Sequence, residues 1–161
     1  MKLLVDTSVW SLALQRRDAA GLSEEQKRLR SMLKQAIEDG QVAMLGPVRQ
    51  ELLSGIRERA QFDRLKVALE PFLDEVLASA DYVDAARLYN ECRARGVQAG
   101  TVDMLLCSVA ARRGWELLSA DEGMLRCWTI ARPLLSMERE AVGENVPSPA
   151  IATRGRKKKG R

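Results

Sequence analysis

Four acidic residues of this sequence occupy positions at which side chains often bind ligands or metal ions. Asp6 directly follows a short apolar run, and Asp121 lies just past another one. Glu51 and Asp103 lie near the beginnings of predicted helices. In an open α/β sheet, the carboxyl ends of the strands and the amino ends of the following helices share one edge, where ligands bind. We therefore expect these four side chains to converge at one edge of a sheet.

Each of these acids also has an ordinary structural role open to it. Asp6 begins the tripeptide Asp-Thr-Ser, whose residue types all cap helices well, and Asp103 could complement a helix dipole. Glu51 could be a solvated surface charge, and Asp121 could begin a turn. These separate roles do not explain why acids recur at the same predicted edge.

Crowded carboxylates repel one another, and a bound divalent cation relieves that repulsion. Mg²⁺ and Mn²⁺ prefer oxygen ligands. Such an ion activates water and stabilises phosphate oxygens during an in-line displacement. Thr7 and Ser8, next to Asp6, would hydrogen-bond a carboxylate or a water molecule in the shell of the ion. The four acids therefore predict a metal site suited to the hydrolysis of phosphate esters.

The composition narrows the chemistry further. The sequence contains no histidine, which excludes Ser-His-Asp and Cys-His mechanisms and histidine-based ribonuclease chemistry. Cys92, Cys107 and Cys127 form no C-x-x-C pair, so they indicate neither a soft zinc site nor a disulfide framework. We predict that these cysteines are buried as small apolar residues. An enzyme of this composition must work through carboxylates, Lys or Arg, hydroxyls or a metal ion.

Length and hydropathy indicate a single domain. A chain of 161 residues is most simply one domain, and it is long enough to bury a core without disulfides. No apolar run approaches the roughly 18 residues that a membrane span requires, and the first residues lack a signal-peptide pattern. We expect a cytoplasmic protein with no membrane partner.

Charge is distributed unevenly along the chain. Residues 154–161 hold six of the 26 basic residues and no acid, whereas the rest of the chain has 20 basic against 22 acidic residues. Such a block is normally solvated, and it could contact nucleic acid. We predict a domain over residues 1–143, followed by a disordered basic tail over residues 144–161.

Strand and helix patterns alternate along the chain, which argues for a parallel α/β sheet. Continuous apolar runs at 3–5 and 42–45 predict strands buried on both faces. The segment 116–118 is a further strand candidate, and 75–77 and 128–130 are weaker ones. Ser23 and Gln26 fit a capping box, and Ser79 and Thr101 are predicted helix caps. Pro133 is expected to end the last strand. Helices are expected up to about residue 17 and over 23–38, 48–56, 59–69, 79–95 and 103–113, with a short one after Asp121.

Four segments give the chain a resemblance to a known family. They are Leu4–Trp10 (LVDTSVW), Pro47–Gly55 (PVRQELLSG), Gly100–Ala110 (GTVDMLLCSVA) and Leu117–Asp121 (LLSAD). In this order they resemble the PIN-domain ribonucleases, most of all the VapC-type toxins of bacterial toxin–antitoxin pairs. The resemblance implies a three-layer α-β-α domain whose central, mostly parallel sheet has four to five strands.

The resemblance also implies a function and a site. The acids of the family map onto Asp6, Glu51, Asp103 and Asp121 as metal-binding and catalytic residues, with Thr7 or Ser8 assisting. The implied activity is that of a metal-dependent endoribonuclease, the toxin of a type II toxin–antitoxin pair. The implied cofactor is Mg²⁺ or Mn²⁺, and the implied partners are an RNA substrate, a small antitoxin protein and a second copy of the chain.

The sequence departs from the family pattern at one point. Many relatives carry a further acid two positions after the last one, often followed by Phe, whereas this chain has Gly123 and Met124 there, with Glu122 adjacent. The number of metal ions is therefore open. An alternative also stays open, namely a catalytically inactive PIN-like scaffold that binds RNA or protein.

Two other classes that place acids at strand ends fit less well. A phosphatase of the haloacid dehalogenase type would use Asp6 as its nucleophile, but it normally needs a second Asp where this chain has Ser8. A receiver domain expects an acidic pair by the first strand and a lysine late in the sheet, and neither is evident.

Overall fold

Three short parallel strands form the central sheet, in the order β2-β1-β3. They are β1 (Leu3–Val5), β2 (Val42–Ala43) and β3 (Glu116–Leu118). The structure is a computed structural model that describes residues 1–14 and 19–142. Leu4 and Val5, whose side chains point to opposite faces of β1, are both fully buried. Helices therefore cover both faces of the sheet, as the three-layer arrangement requires.

Helices make up most of the described chain and fall into two groups. Helices α1 to α4 follow β1 and β2, and helices α5 to α7 pack mainly on one another, with α6 also contacting β1 and β3. A short 3₁₀ turn (Ala19–Gly21) precedes α2. The helices are α1 (Thr7–Leu14), α2 (Glu24–Glu38), α3 (Gly46–Leu53), α4 (Arg59–Leu69), α5 (Ser79–Ala94), α6 (Thr101–Arg113) and α7 (Glu122–Val142).

The sheet is smaller than the predicted four to five strands, because the described residues contain only three. The predicted strand at 75–77 is absent, and a single parallel bridge joins Met44 to Asp74 just before it. Val76 is exposed, and its carbonyl accepts a hydrogen bond from Arg113 Nη2 at 2.8 Å. The Arg113 side chain thus bonds the carbonyl that a neighbouring strand would need as an acceptor. The segment also buries too little apolar surface to form a strand.

The predicted strand at 128–130 is also wrong, because these residues lie inside α7. Cys127, Trp128, Ala131 and Leu135 are buried, and this spacing places them on one face of a helix. Packing of that face overrides the strand preference of the short Trp-Thr-Ile run. Pro133, which was expected to end the element, lies within the helix with its side chain exposed.

Helix ends differ from the predictions by a few residues. The capping box of Ser23 and Gln26 is confirmed. Gly100 rather than Thr101 caps α6, and Ala78 rather than Ser79 caps α5. In both cases an aspartate in the first turn accepts the N–H of the capping residue, which is one of the two hydrogen bonds of a capping box.

The three cysteines are buried, as predicted. Burial raises the pKa of each thiol, to about 12 for Cys127. Among the described residues, no helix is long and apolar enough to span a membrane. The predicted basic tail and its boundary at residue 144 lie outside the described residues.

Candidate active site

The topology brings the four acids to one edge of the sheet. Asp6 is the first residue after β1, and its N–H donates to the Leu118 carbonyl of β3 at 2.9 Å. Asp121 follows β3, whose carboxyl end adjoins that of β1 because the two strands are parallel. Helix α6 runs into β3, so its first turn and Asp103 lie at the same edge. Glu51 lies on α3, which follows β2.

Asp6 is the most buried of the four carboxylates and is surrounded by hydrogen-bond donors. Only 6% of the residue is exposed. Its Oδ1 accepts the Thr7 N–H at 2.7 Å, and its Oδ2 accepts the hydroxyls of Ser8 at 2.6 Å and Ser119 at 2.9 Å. These bonds fix the carboxylate and stabilise its charge away from water.

Two serines connect Asp6 to the loop after β3. Ser8 Oγ accepts the Ala120 N–H, and Ser119 Oγ accepts the Asp121 N–H, both at 3.0 Å. Each serine therefore holds the loop by a backbone N–H while donating its own proton to Asp6. Ser119 was not among the site residues predicted from the sequence. Its position directly after β3 could have indicated it, because hydroxyl residues also lie just after β1.

Glu51 is held by a threonine from the neighbouring strand end. Thr7 Oγ1 donates to Glu51 Oε2 at 2.8 Å, although the two residues are 44 positions apart in the sequence. The Thr7 hydroxyl also lies 3.4 Å from Asp6 Oδ1, so Thr7 links Glu51 to Asp6. Glu51 is exposed, so its remaining lone pairs are accessible from solvent.

Asp103 and Asp121 are both anchored by a backbone N–H at the beginning of a helix. Asp103 Oδ2 accepts the Gly100 N–H at 2.8 Å, and Asp121 Oδ1 accepts the Met124 N–H at 2.7 Å. In the part of the chain that the structure describes, the second oxygen of each carboxylate has no hydrogen bond from protein. These two oxygens are therefore available for a ligand.

The other three acids act on Asp103. Burial raises the pKa of Asp103 above its ordinary value, and the negative charges of Asp6, Asp121 and Glu51 raise it further. The hydrogen bond from the Gly100 N–H opposes these effects. Thr7, which bonds both Asp6 and Glu51, and the parallel pairing of β1 with β3 bring these acids to the same edge of the sheet. The structure thus places the four acids at the edge where they were expected.

The donor chemistry of this edge fits a hydrated hard cation. All four groups offer carboxylate oxygen, and among the described residues three of them, Glu51, Asp103 and Asp121, have an oxygen without a protein partner. Within residues 1–14 and 19–142, however, no three acidic or cysteine side chains are grouped closely enough to ligate one ion directly. Mg²⁺ usually keeps several waters and takes only one or two carboxylates. Such an ion fits this site with the remaining carboxylates acting through water.

Gly123 occupies the place at which many relatives carry a further acid, and the local packing is tight. A Cβ at this position would lie 3.1 Å from Asp121 Oδ1 and 3.2 Å from the Gln98 carbonyl oxygen. The neighbouring Glu122 is exposed, and its side chain pairs with Arg126 at 3.5 Å. The described edge thus has the four predicted acids and none at position 123.

Fold and site together define a small α/β domain with a carboxylate cluster at the carboxyl edge of a parallel sheet. A family model for the PIN domain matches residues 3–127. This match covers well over half of the chain, so the protein belongs to the PIN domain family. Members of this family are generally nucleases, which are hydrolases, and they generally use divalent metal ions. No curated protein sequence matches the chain significantly.

Proposed function

We propose that this protein is an endoribonuclease that hydrolyses RNA phosphodiester bonds with the help of Mg²⁺ or Mn²⁺. One observation carries the proposal, namely the meeting of four carboxylates at the carboxyl edge of the sheet, where Thr7 bonds both Asp6 and Glu51. Uncompensated acids at one place destabilise a fold, whereas a cation-dependent site requires them. The absence of histidine from the sequence favours this chemistry over histidine-based cleavage.

The residues of the edge divide into two roles. Asp103 and Asp121 would hold the ion through their free oxygens, while the buried Asp6, already bonded to two serines, would act mainly through water. Bound Mg²⁺ or Mn²⁺ would activate water for attack and stabilise charge on the phosphate oxygens. Glu51, held by Thr7, would orient the attacking water.

A binding measurement tests the metal site before any substrate is known. We expect Mn²⁺ titrated into the full chain to give calorimetric heats that Asp103→Asn and Asp121→Asn abolish or weaken at least tenfold. Asparagine keeps an oxygen for the N–H of Gly100 or Met124, so both variants should fold. Asp63→Asn, which changes an exposed aspartate of α4, is the matched control and should bind like the parent.

Cleavage of RNA tests the activity itself. The parent and Asp63→Asn should cut single-stranded or structured RNA when Mg²⁺ or Mn²⁺ is present and stop when EDTA is added. Asp103→Asn and Asp121→Asn should lose most of that cleavage. If these two variants cut RNA as fast as the parent, the assignment of the acidic edge is wrong.

A PIN-like scaffold that binds RNA or protein without cutting is the second candidate. Two observations favour it: no three of the described side chains form a direct ligand set, and Gly123 leaves no fifth acid. RNA binding without Mn²⁺ binding and without cleavage would select this scaffold over the nuclease.

We also propose that the protein acts as the toxin of a type II toxin–antitoxin pair, as a homodimer with a small antitoxin partner. The four sequence segments that resemble VapC-type toxins support this proposal. Induced expression of the chain in bacteria should arrest growth, and the Asp103→Asn variant should not. Sedimentation should give twice the monomer mass of 17.9 kDa. Normal growth on expression of the active enzyme would contradict the toxin role.

A further inference from the structure

An open pocket of about 460 Å³ adjoins the acidic edge between α3 and the beginning of α6. We call it the α3–α6 pocket. Its volume is within the range of small-molecule sites in proteins. Two of the four acids, Glu51 and Asp103, lie on its wall, so it opens directly beside the proposed site of cleavage. The lining residues are Pro47, Gln50, Glu51, Ser54, Gly100, Thr101, Val102 and Asp103.

The charge of the pocket decides what kind of group can enter it. Its only charged lining residues are the two acids, and none of its lining residues is Lys or Arg. A phosphate group would be repelled there, because no cationic side chain compensates its charge. The pocket therefore favours a neutral group, and the phosphate belongs at the acidic edge, where a cation would bind.

The remaining lining residues offer hydrogen bonds from several directions. Gln50 presents an exposed amide, which both donates and accepts. Ser54 Oγ donates to the Gln50 carbonyl at 2.7 Å, which leaves its lone pairs free to accept. At the first turn of α6, the N–H groups of Thr101 and Val102 have no carbonyl partner among the described residues.

Apolar walls complete the pocket, since Pro47 and Val102 line it on α3 and α6 respectively. A flat, neutral group with donors and acceptors along its rim fits this combination, and a nucleobase is such a group. An RNA strand that places a phosphate at the acidic edge carries a base on the adjoining nucleotide. We infer that the α3–α6 pocket binds the nucleobase next to the scissile phosphate and that Gln50 reads its edge. This inference rests on the proposed function.

A cleavage experiment tests the inference with the active enzyme. RNA of random sequence is cut in Mg²⁺ or Mn²⁺, and the nucleotide frequencies on both sides of each cut are counted. The parent should enrich one base at one flanking position, and Gln50→Ala should reduce that enrichment at least fivefold. Gln61→Ala removes an exposed glutamine of α4 that does not line the pocket, so its preference should equal that of the parent. Unchanged preference in Gln50→Ala would overturn the inference.

A second experiment separates this inference from the proposed activity. The four ribonucleosides, which carry no phosphate, are titrated into the ¹⁵N-labelled chain without divalent ions. We expect at least one nucleoside to shift the amide signals of Thr101 and Val102, and Gln50→Ala should abolish the shift. This result in a protein that cuts no RNA would support the pocket and contradict the nuclease proposal. Cleavage of RNA without any nucleoside-induced shift, or equal shifts by ribose alone, would contradict the nucleobase pocket and leave the nuclease proposal standing.

Discussion

Ser119 Oγ lies 2.9 Å from Asp6 Oδ2, and the two residues are 113 positions apart in the sequence. The same hydroxyl accepts the N–H of Asp121. One side chain that is 4% exposed therefore connects two of the four acids, one after β1 and one after β3. The position of Asp121 relative to Asp6 depends on this buried link as well as on the pairing of the strands.

Replacement of Ser119 by alanine should affect both stability and the site. The change leaves the partly buried Asp121 N–H without its partner and removes one donor from the buried Asp6, which we expect to lower the free energy of unfolding by about 1–3 kcal/mol. Loss of the link should also lower Mn²⁺ affinity or RNA cleavage by roughly 10- to 100-fold. Urea unfolding and calorimetry measure the two effects. Ser31→Ala, at an exposed position of α2, should change neither.

Replacement of Thr7 by valine tests the role of the bond to Glu51. Valine has nearly the same shape but no hydroxyl, so Glu51 loses the donor at 2.8 Å. Because Glu51 is exposed, we expect a stability loss of at most about 1 kcal/mol, whereas RNA cleavage should fall at least tenfold. Thr7→Ser keeps the hydroxyl and should retain most of the activity. Equal activity in Thr7→Val and the parent would mean that Glu51 needs no positioning.

Replacement of Asp103 by asparagine should stabilise the metal-free protein at neutral pH. Burial and the neighbouring acids raise the pKa of Asp103 in the folded state above its unfolded value. Folding therefore favours the protonated form, and the ionised form becomes unfavourable as the pH rises through the folded pKa. Asparagine removes that charge and keeps an acceptor for the Gly100 N–H. Thermal unfolding in EDTA at pH 7 should give a higher Tm for Asp103→Asn than for the parent.

The order of the two Tm values should reverse when Mn²⁺ is present, so that the parent has the higher Tm. A cation bound at the acidic edge raises the Tm of the parent by mass action, and Asp103→Asn should show little of that increase. As the pH in EDTA is lowered below the ordinary carboxyl pKa of 3.8, the Tm of the parent should approach that of the variant, because Asp103 becomes protonated. A lower Tm for Asp103→Asn than for the parent in EDTA at pH 7 would show that the negative charge of Asp103 does not destabilise the folded protein.

The sequence predicted the acidic edge because the information for it is local. Leu3–Val5 is a continuous apolar run, Leu117 and Leu118 are apolar, and each pair or run is followed at once by polar residues. In a parallel sheet these two ends must meet at one edge. The convergence of the acids, including Asp103, followed from this topology together with the positions of the helix starts.

The errors arose where contacts with distant residues decide the local structure. The segment 75–77 has a strand-like composition, but Arg113 from α6 takes the Val76 carbonyl. The run 128–130 is equally strand-like, but it belongs to the buried face of a long helix. The link of Ser119 to Asp6 depends on the exact pairing of β1 with β3, which apolar patterning does not specify.

Pro133 offers a test of α7 itself. A proline inside a helix lacks the N–H for one backbone hydrogen bond, and its ring crowds the carbonyl four residues earlier, here that of Thr129. Because the Pro133 side chain is exposed, its removal costs little packing. We therefore expect Pro133→Ala to raise the free energy of unfolding by about 1–3 kcal/mol, as helix propensities indicate. Met137→Ala changes an exposed residue one turn later, on the same face, and should have a much smaller effect.

The activity of Pro133→Ala should equal that of the parent, although its stability is expected to be higher. Pro133 lies roughly 18 Å along the helix from Asp121, at a rise of about 1.5 Å per residue. Pro133→Ala should therefore leave Mn²⁺ affinity and RNA cleavage unchanged while urea unfolding shifts to higher concentration. A loss of stability in Pro133→Ala would show that the ring makes a contact on which the end of α7 depends. A change in Mn²⁺ affinity would instead mean that Pro133 influences the position of Asp121.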